Sequence, residues 1–213
     1  MKVTVFGATG AIGQLVVGNL LDAGHSVKAY ARNASKIPAS WKDRVETVVG
    51  EITDAAQIDV AVADSDAVIS ALGPSMDRKA TGLPLVDGTK LILDAMKRHG
   101  ARRYVGNGTP SVLDRRDAKT LQARLVGFMG RTMFPRAYRE LLGMSAAIMD
   151  SGLDWTIVRF IAPTDGAPKG VAHEGFFGTD KIGFTVTRAD IAAFTAAQVD
   201  SDKYIDAAPA ISN

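Results

Sequence analysis

Short β-branched runs alternate along the chain with longer stretches whose apolar residues recur every three or four positions. Val3 to Phe6 reads as a buried strand, bounded by a glycine-rich turn at 7–13. A helix follows in which Ile12, Leu15, Val16 and Leu20 share one face, and Gly24 stops it. Val27 to Tyr30, Val45 to Val49, Asp66 to Ser70, Arg103 to Val105 and Trp155 to Val158 read as strands two to six. Helices are expected over 55–63, capped by Thr53 or Asp54, and over 84–99, closed by Gly100. The 84–99 helix sets Asp87, Lys90, Asp94 and Lys97 against Leu85, Thr89, Ile92 and Met96. Two further helices are expected, Arg136 to Asp150 after Pro135 and 188–199 after Thr187. Residues 111–135 are the least regular part, and 174–186 suggest a small strand pair. Strands alternating with helices predict an α/β protein, a doubly wound parallel sheet with helices on both faces. We expect one domain over 1–213, with no repeat and no linker.

Composition narrows the classes. Hydrophobic residues make up 46% of the 213 and charged residues 23%, which suits a folded core rather than disorder. Twenty-five Lys and Arg against 23 Asp and Glu leave a net charge of +2, too little to draw nucleic acid or an anionic membrane. With no cysteine, disulfides and thiol catalysis are excluded. The three histidines, His25, His99 and His173, are too scattered for a His-rich metal site, so no metal is expected. No apolar stretch is long enough to span a membrane and none resembles a signal peptide, so the expected location is cytoplasmic.

The chemistry concentrates first in Gly7-Ala8-Thr9-Gly10-Ala11-Ile12-Gly13. A turn between strand and helix needs a positive φ, a close phosphate forbids a Cβ, and close helix–strand packing forbids bulk. The helix N-terminus then offers free N–H groups to a pyrophosphate. The spacing is G-x-x-G-x-x-G, in strand–turn–helix–strand order, so a dinucleotide is expected at this turn. A carboxylate after the second strand would select NAD, but Tyr30-Ala31-Arg32-Asn33-Ala34-Ser35-Lys36 contains none. Arg32 can fork onto a 2′-phosphate, with Ser35 and Lys36 adding donors, so NADP (NADPH) is the expected cofactor; a solvated basic turn is the alternative.

The chain resembles the atypical short-chain dehydrogenase/reductases, the branch with NmrA-like proteins and biliverdin-IX beta reductase (flavin reductase). The resemblance rests on the 7–13 turn, Arg32, Gly50-Glu51-Ile52, Thr187-Arg188-Ala189-Asp190, and Ser151 through Arg159, which is similar to the family's S-G-L-D-W-T-I-V-R-P. It implies a Rossmann fold with strand order 3-2-1-4-5-6. It also implies the pyrophosphate on Thr9, Gly10, Ala11 and Ile12, between Gly7 and Gly13, and the 2′-phosphate on Arg32. Glu51 and Ile52 would lie by adenine, Leu72 and Gly73 under the ribose, and Thr109 near the nicotinamide, walled by Phe160, Ile161 and the residues up to 163. Three departures stand out. Phe160 replaces the family's proline, the Tyr-x-x-x-Lys pair is missing because Leu142 lies four residues after Tyr138, and Met144-Ser145 stand where many relatives have a carboxylate.

A ketone acceptor needs a proton donor for its alkoxide, whereas a flavin, quinone or tetrapyrrole spreads charge over its conjugated system. The missing pair therefore points to an NADPH-dependent oxidoreductase with a small aromatic or conjugated acceptor. Thr109 and Tyr138 are the candidate catalytic residues, the alternatives being a threonine bonding its own backbone and a core tyrosine. The competing class is a non-catalytic NADP(H)-binding redox sensor of NmrA-like type, and a sugar-nucleotide or isoprenoid-tailoring reductase is a third. The substrate side is placed around 111–140 and 160–186, in a monomer or homodimer. Residues 111–140 carry an excess of four positive charges with Phe128, Met129, Met133 and Phe134 interleaved, which suits an aromatic acceptor bearing phosphate or carboxylate; a solvated basic surface is the alternative.

Overall fold

A computed structural model describes residues 1–77, 79, 81–119 and 130–213. Six parallel strands form the centre: β1 (Lys2–Phe6), β2 (Ser26–Ala31), β3 (Val45–Val49), β4 (Ala67–Ser70), β5 (Arg103–Gly108) and β6 (Asp154–Arg159). They lie in the order β3-β2-β1-β4-β5-β6, the order that the family resemblance implies. The register carries Val5 beside Ala29 on one side and Ile69 on the other.

Two faces of the sheet are covered. Helices α1 (Ala11–Asp22), α2 (Ala55–Val62), α3 (Pro84–His99), α4 (Pro135–Met149) and α5 (Arg188–Ala197) supply the cover. Phe6, Val68, Tyr104 and Ile157 face one core with Ile58, Ile92, Met96 and Ile148. Val5, Ile69, Val105 and Val158 face the other with Val16, Leu20 and Ile191. Burial on both faces explains why the strands are nearly continuous apolar runs.

The sheet continues beyond β6 in a way the sequence reading did not anticipate. With β7 (Ala162–Thr164), β8 (His173–Gly175), β9 (Thr185–Thr187) and β10 (Ala210–Ser212), β10 pairs parallel to β6 and β8 pairs antiparallel to β10. β7 and β9 form a separate parallel pair. The strand pair expected within 174–186 is therefore corrected: its two ends pair elsewhere. At Gly175 φ is +150°, and the Asp180 carboxylate accepts from the Phe176 N–H, so the chain curls instead of running on as a hairpin.

The helix ends follow local chemistry. Asp54, not Thr53, caps α2 by accepting from the N–H groups of Ala56 and Gln57. Pro84 opens α3, and Gly100 closes it at φ +76°. Thr187 caps α5, its hydroxyl oxygen accepting from the Asp190 N–H at 3.1 Å. The face of α1 differs by one position from the expectation. Gly13, Val16, Val17 and Leu20 are buried, while Leu15 is 41% exposed. α1 packs against both the sheet and the neighbouring α5, so its buried stripe takes in Val17 and Gly13.

Candidate cofactor and acceptor site

The order of strands reverses between β1 and β4, and the glycine turn sits there, at the carboxyl ends of the strands, where open α/β sheets place ligands. The three glycines of the turn do different work. Gly7 takes φ +73°, and a Cβ on it would lie 2.9 Å from the Ala71 backbone at the end of β4. Gly13 lets α1 approach the turn: a Cβ there would meet the Gly7 carbonyl oxygen at 2.1 Å. Gly10 is the exposed one. Its φ is −79°, and an added Cβ would meet only the Gly7 carbonyl oxygen, at 3.2 Å. The positive φ of this motif therefore belongs to Gly7, and Gly10 is left as open space above the helix end.

α1 also begins differently from α2 and α5. Its N-cap, Gly10, provides no side-chain hydrogen bond, and its first turn holds no acidic residue. The N–H groups of Ala11, Ile12 and Gly13 and the positive end of the helix dipole are thus uncompensated beside Thr9 and Gly10. An open cradle plus free N–H donors fits a pyrophosphate.

One strand over, Arg32 follows β2. It is exposed and takes no part in the hydrogen bonds and ion pairs of the described residues. Ser35 and Lys36 follow on a single 3-10 turn capped by Asn33, both exposed. Across from them, Tyr30 donates its hydroxyl to the Glu51 carbonyl oxygen at 2.8 Å. Burial, helped by the negative charges of Asp54 and Glu51, pushes this phenol up to about 12, so it stays a donor at any working pH. A Cβ on Gly50 would strike that hydroxyl at 2.4 Å, which accounts for the glycine. The pair fixes the backbone of Glu51, and Ile52 packs against Gly88 of α3.

Beyond β4, Leu72 is half-buried and Gly73 exposed. Beyond β5, Thr109 accepts from the Ser111 N–H at 3.3 Å through its hydroxyl oxygen. That is the local backbone bond expected of a strand-end threonine, yet it uses only a lone pair and leaves the hydroxyl proton free to donate. Tyr138 stands half-buried on α4. An added Cβ on Gly130 would fall 3.1 Å from its ring and 3.4 Å from the Ser111 hydroxyl oxygen, so Tyr138 borders the loop that carries Thr109. Phe160 and Ile161 are half-buried at the end of β6, with the Phe160 N–H donating to the Gly108 carbonyl. His173 opens the edge strand β8, paired with Ser212 of β10.

Two residues that hold this edge together drew no role from the sequence. Arg159 is fully buried and makes two hydrogen bonds to Asp117, at 2.6 and 2.8 Å, and one to the Val112 carbonyl at 2.8 Å. Asp117 also accepts from the N–H groups of Phe177 and Asp114. The guanidinium lies 4.8 Å from the centre of the Phe177 ring. This knot ties the loop after β5 to β6 and to the 176–180 turn. The signal was present in Arg159, a charge closing an otherwise apolar strand; a buried charge demands a partner.

The basic excess of 111–140 is less available than its composition suggests. Arg116 pairs with the buried Asp114 at 3.3 Å and lies over the Phe176 ring. Arg136 pairs with the buried Glu140 at 2.9 Å and donates to the carbonyls of Ser75 and Gly82. Glu140 in turn accepts from the Leu85 N–H at the start of α3. Phe128, Met129 and Arg124 lie outside the described residues. Met133 and Phe134 are described, and they line a cavity of about 430 Å³ with Ser75, Met76, Asp77 and Arg136.

No helix among the described residues is long and apolar enough to cross a membrane, and none of their His, Asp or Glu side chains cluster as a metal site.

Comparison with known proteins bears on the fold and the family. Of solved structures, the anaerobilin reductase ChuY of Escherichia coli O157:H7 superposes with a TM-score of 0.77 at 19% identity, covering 100% of this chain and 97% of that one. A short-chain dehydrogenase/reductase of Veillonella parvula in complex with NADP gives 0.77 at 16% identity, covering 100% and 94%. At these identities the likeness shows the fold, a Rossmann α/β fold. In sequence, a 3-beta-hydroxysteroid dehydrogenase of Mycolicibacterium neoaurum is 33% identical over 122 residues, 53% of this chain and 33% of that protein. A 3-diazoavenalumate denitrifying reductase of a Streptomyces species is 34% identical over 113 residues, 49% of this chain and 36% of that protein. The matched parts thus span about a third of these relatives. The model of the NAD(P)H-binding family matches residues 7–202, and with that match over nearly its whole length the chain belongs to the NAD(P)H-binding family.

Proposed function

We propose that the protein is an NADPH-dependent oxidoreductase that reduces a small conjugated acceptor of the flavin, quinone or tetrapyrrole kind. The observation that carries this reading is the uncapped N-terminus of α1 beside the open Gly10, at the point where the strand order reverses and one strand from the exposed Arg32. Gly7, Thr9, Gly10, Ala11, Ile12 and Gly13 would hold the pyrophosphate. Arg32, Ser35 and Lys36 would take the 2′-phosphate, Glu51 and Ile52 the adenine, and Leu72 and Gly73 the ribose. Thr109, Phe160 and Ile161 would border the nicotinamide.

A bound reduced nicotinamide supplies a hydride. The protein's own part is alignment and the exclusion of water. Thr109 keeps a free hydroxyl proton to donate to an acceptor oxygen or to a carboxamide, and Tyr138 is a second donor beside the same loop. Leu142, not a lysine, stands four residues beyond Tyr138, so the family's Tyr–Lys pair is missing, and solvent supplies the proton that completes reduction. Such a site suits acceptors that delocalise charge. The similarity to a Streptomyces reductase supports the reading. A monomer or homodimer acting on small molecules in the cytoplasm, without nucleic acid or membrane, completes it.

Loss of the reduced-nicotinamide absorbance with FMN, lumiflavin or menadione present tests the proposal. Turnover with at least one of them is expected. Tight NADPH binding with none reduced would overturn it in favour of a non-catalytic redox sensor.

A further inference from the structure

β6 ends on a buried charge. Trp155 to Val158 are all buried, and the Arg159 side chain that follows them is fully buried too. Its partner is Asp117, whose side chain is 9% exposed. On the acid side the match is complete. Each Asp117 oxygen takes one guanidinium N–H and one backbone N–H, from Asp114 on one oxygen and from Phe177 on the other. On the base side it is not, since Arg159 Nε has no partner among the described residues. A buried ion pair with a donor left over is a poor source of stability, for apolar side chains of similar volume often serve as well or better. What such a pair can supply is one fixed geometry.

The geometry fixed here is that of the turn carrying Thr109. In the sheet register Arg159 stands beside Gly108, the last residue of β5. Its Nη1 donates to the Val112 carbonyl at 2.8 Å, and the Val112 N–H donates back to the Thr109 carbonyl at 3.0 Å. Within the same turn the Ser111 N–H donates to the Thr109 hydroxyl oxygen at 3.3 Å. Val112 is buried, and a Cβ on Gly108 would lie 3.4 Å from its side chain and 3.6 Å from that of Arg159. Thr109 is thus held between the strand it follows and a guanidinium that grips the far end of its turn. The segment that orients the Asp117 carboxylate is itself pinned. The Ala118 N–H donates to the Phe177 carbonyl at 2.9 Å, and the Thr179 hydroxyl donates to the Arg116 carbonyl at 2.7 Å.

Resting on the reading above, in which Thr109 borders the nicotinamide, we infer that Arg159 and Asp117 are positioning residues for the Thr109 hydroxyl. Arg159 acts through Val112, and Asp117 orients the guanidinium. A contacting group keeps its place only if its support is locked by packing and hydrogen bonds, and this pair is that support.

Two ligands separate positioning from general support of the fold: NADP⁺, and 2′-phospho-ADP-ribose, which is the same molecule without the nicotinamide ring. Both are titrated by calorimetry. Arg159→Met together with Asp117→Asn removes both charges and keeps an acceptor oxygen for the loop. This pair variant should weaken NADP⁺ about two- to tenfold, the scale of one hydrogen bond, and leave 2′-phospho-ADP-ribose unchanged. Thr109→Ala should do the same. Adding the pair variant to Thr109→Ala should cost nothing more, because residues acting through one another are not additive. Arg159→Lys keeps the buried charge but cannot fork, and it should reproduce the pattern even if the pair variant melts too low to be titrated. Equal weakening of both ligands, an unchanged NADP⁺ affinity, or losses that add to that of Thr109→Ala would overturn the inference. The reductase reading fails separately. The expected binding pattern in a protein that reduces no acceptor would sink that reading alone. Turnover of lumiflavin by the parent, with both ligands weakened equally in the variants, would sink the positioning role alone.

Discussion

At the scale of single residues, three similar glycines are pulled apart by their surroundings. In the sequence Gly7, Gly10 and Gly13 are one motif; only the backbone shows that the first needs its φ, the last needs its missing Cβ for packing, and the middle one faces open space. Gly10→Val should therefore leave the fold intact, at a cost of about 1 kcal/mol for a poor N-cap, while abolishing NADP(H) binding. Gly13→Val should lower stability severely, since its Cβ would fall on the Gly7 carbonyl. Thermal melting and calorimetric titration of the two variants separate these outcomes. Arg32 was legible as a candidate because no carboxylate lies near it, and it is exposed and free to pair. Each charge-assisted hydrogen bond to a 2′-phosphate contributes about 1.5–3 kcal/mol, so Arg32→Asp should erase or invert a preference for NADPH over NADH. Equal affinities for the two cofactors in the parent protein would show that Arg32 does not read the phosphate.

At the scale of elements, the helices and central strands were readable from their periods and caps. The connections that cross the sheet were not. β8 and β10 are three residues each, and their pairing of His173 with Ser212 joins segments that local pattern cannot relate. The Asp117–Arg159 knot is likewise a contact across 42 residues. Removing one partner of a buried ion pair strands the other charge. Asp117→Ala should thus destabilise the protein by about 3–5 kcal/mol in urea, and adding Arg159→Met should restore much of that. Asp190 makes a prediction about pH. Burial pushes its carboxyl up, but hydrogen bonds from the Thr187 hydroxyl, the N–H groups of Lys169 and Gly170 and the Asn213 amide more than offset this and hold it below the usual carboxylate range. A carboxyl lowered in the folded state adds stability above its unfolded pKa of about 3.9 and loses it as pH falls through the folded value. Asp190→Asn should therefore cost about 1–3 kcal/mol at neutral pH, and the gap to the parent should shrink on acidification to about pH 3. A gap that stays constant with pH would contradict the role given to this carboxylate.

At the scale of the whole molecule, the parallel α/β architecture followed from alternation, and the order of the six central strands from the family resemblance. The edge proposed for the cofactor could be read from sequence because its chemistry is local: a turn, a helix end and an arginine within thirty residues. The basic excess of 111–140 was misleading, because its arginines find partners far apart in sequence, such as Arg136 with the Ser75 carbonyl 61 residues away. The central proposal is that a hydride leaves a cofactor held at the carboxyl edge of this sheet. The direct measurement uses the two forms of NADPH that carry deuterium on one or the other face of the nicotinamide C4. Each is loaded on the protein and mixed anaerobically with lumiflavin in a single turnover. A fixed cofactor in a shaped site predicts that only one of the two forms slows the reaction and passes its label. Equal slowing by both forms, or no oxidation with either, would contradict the account.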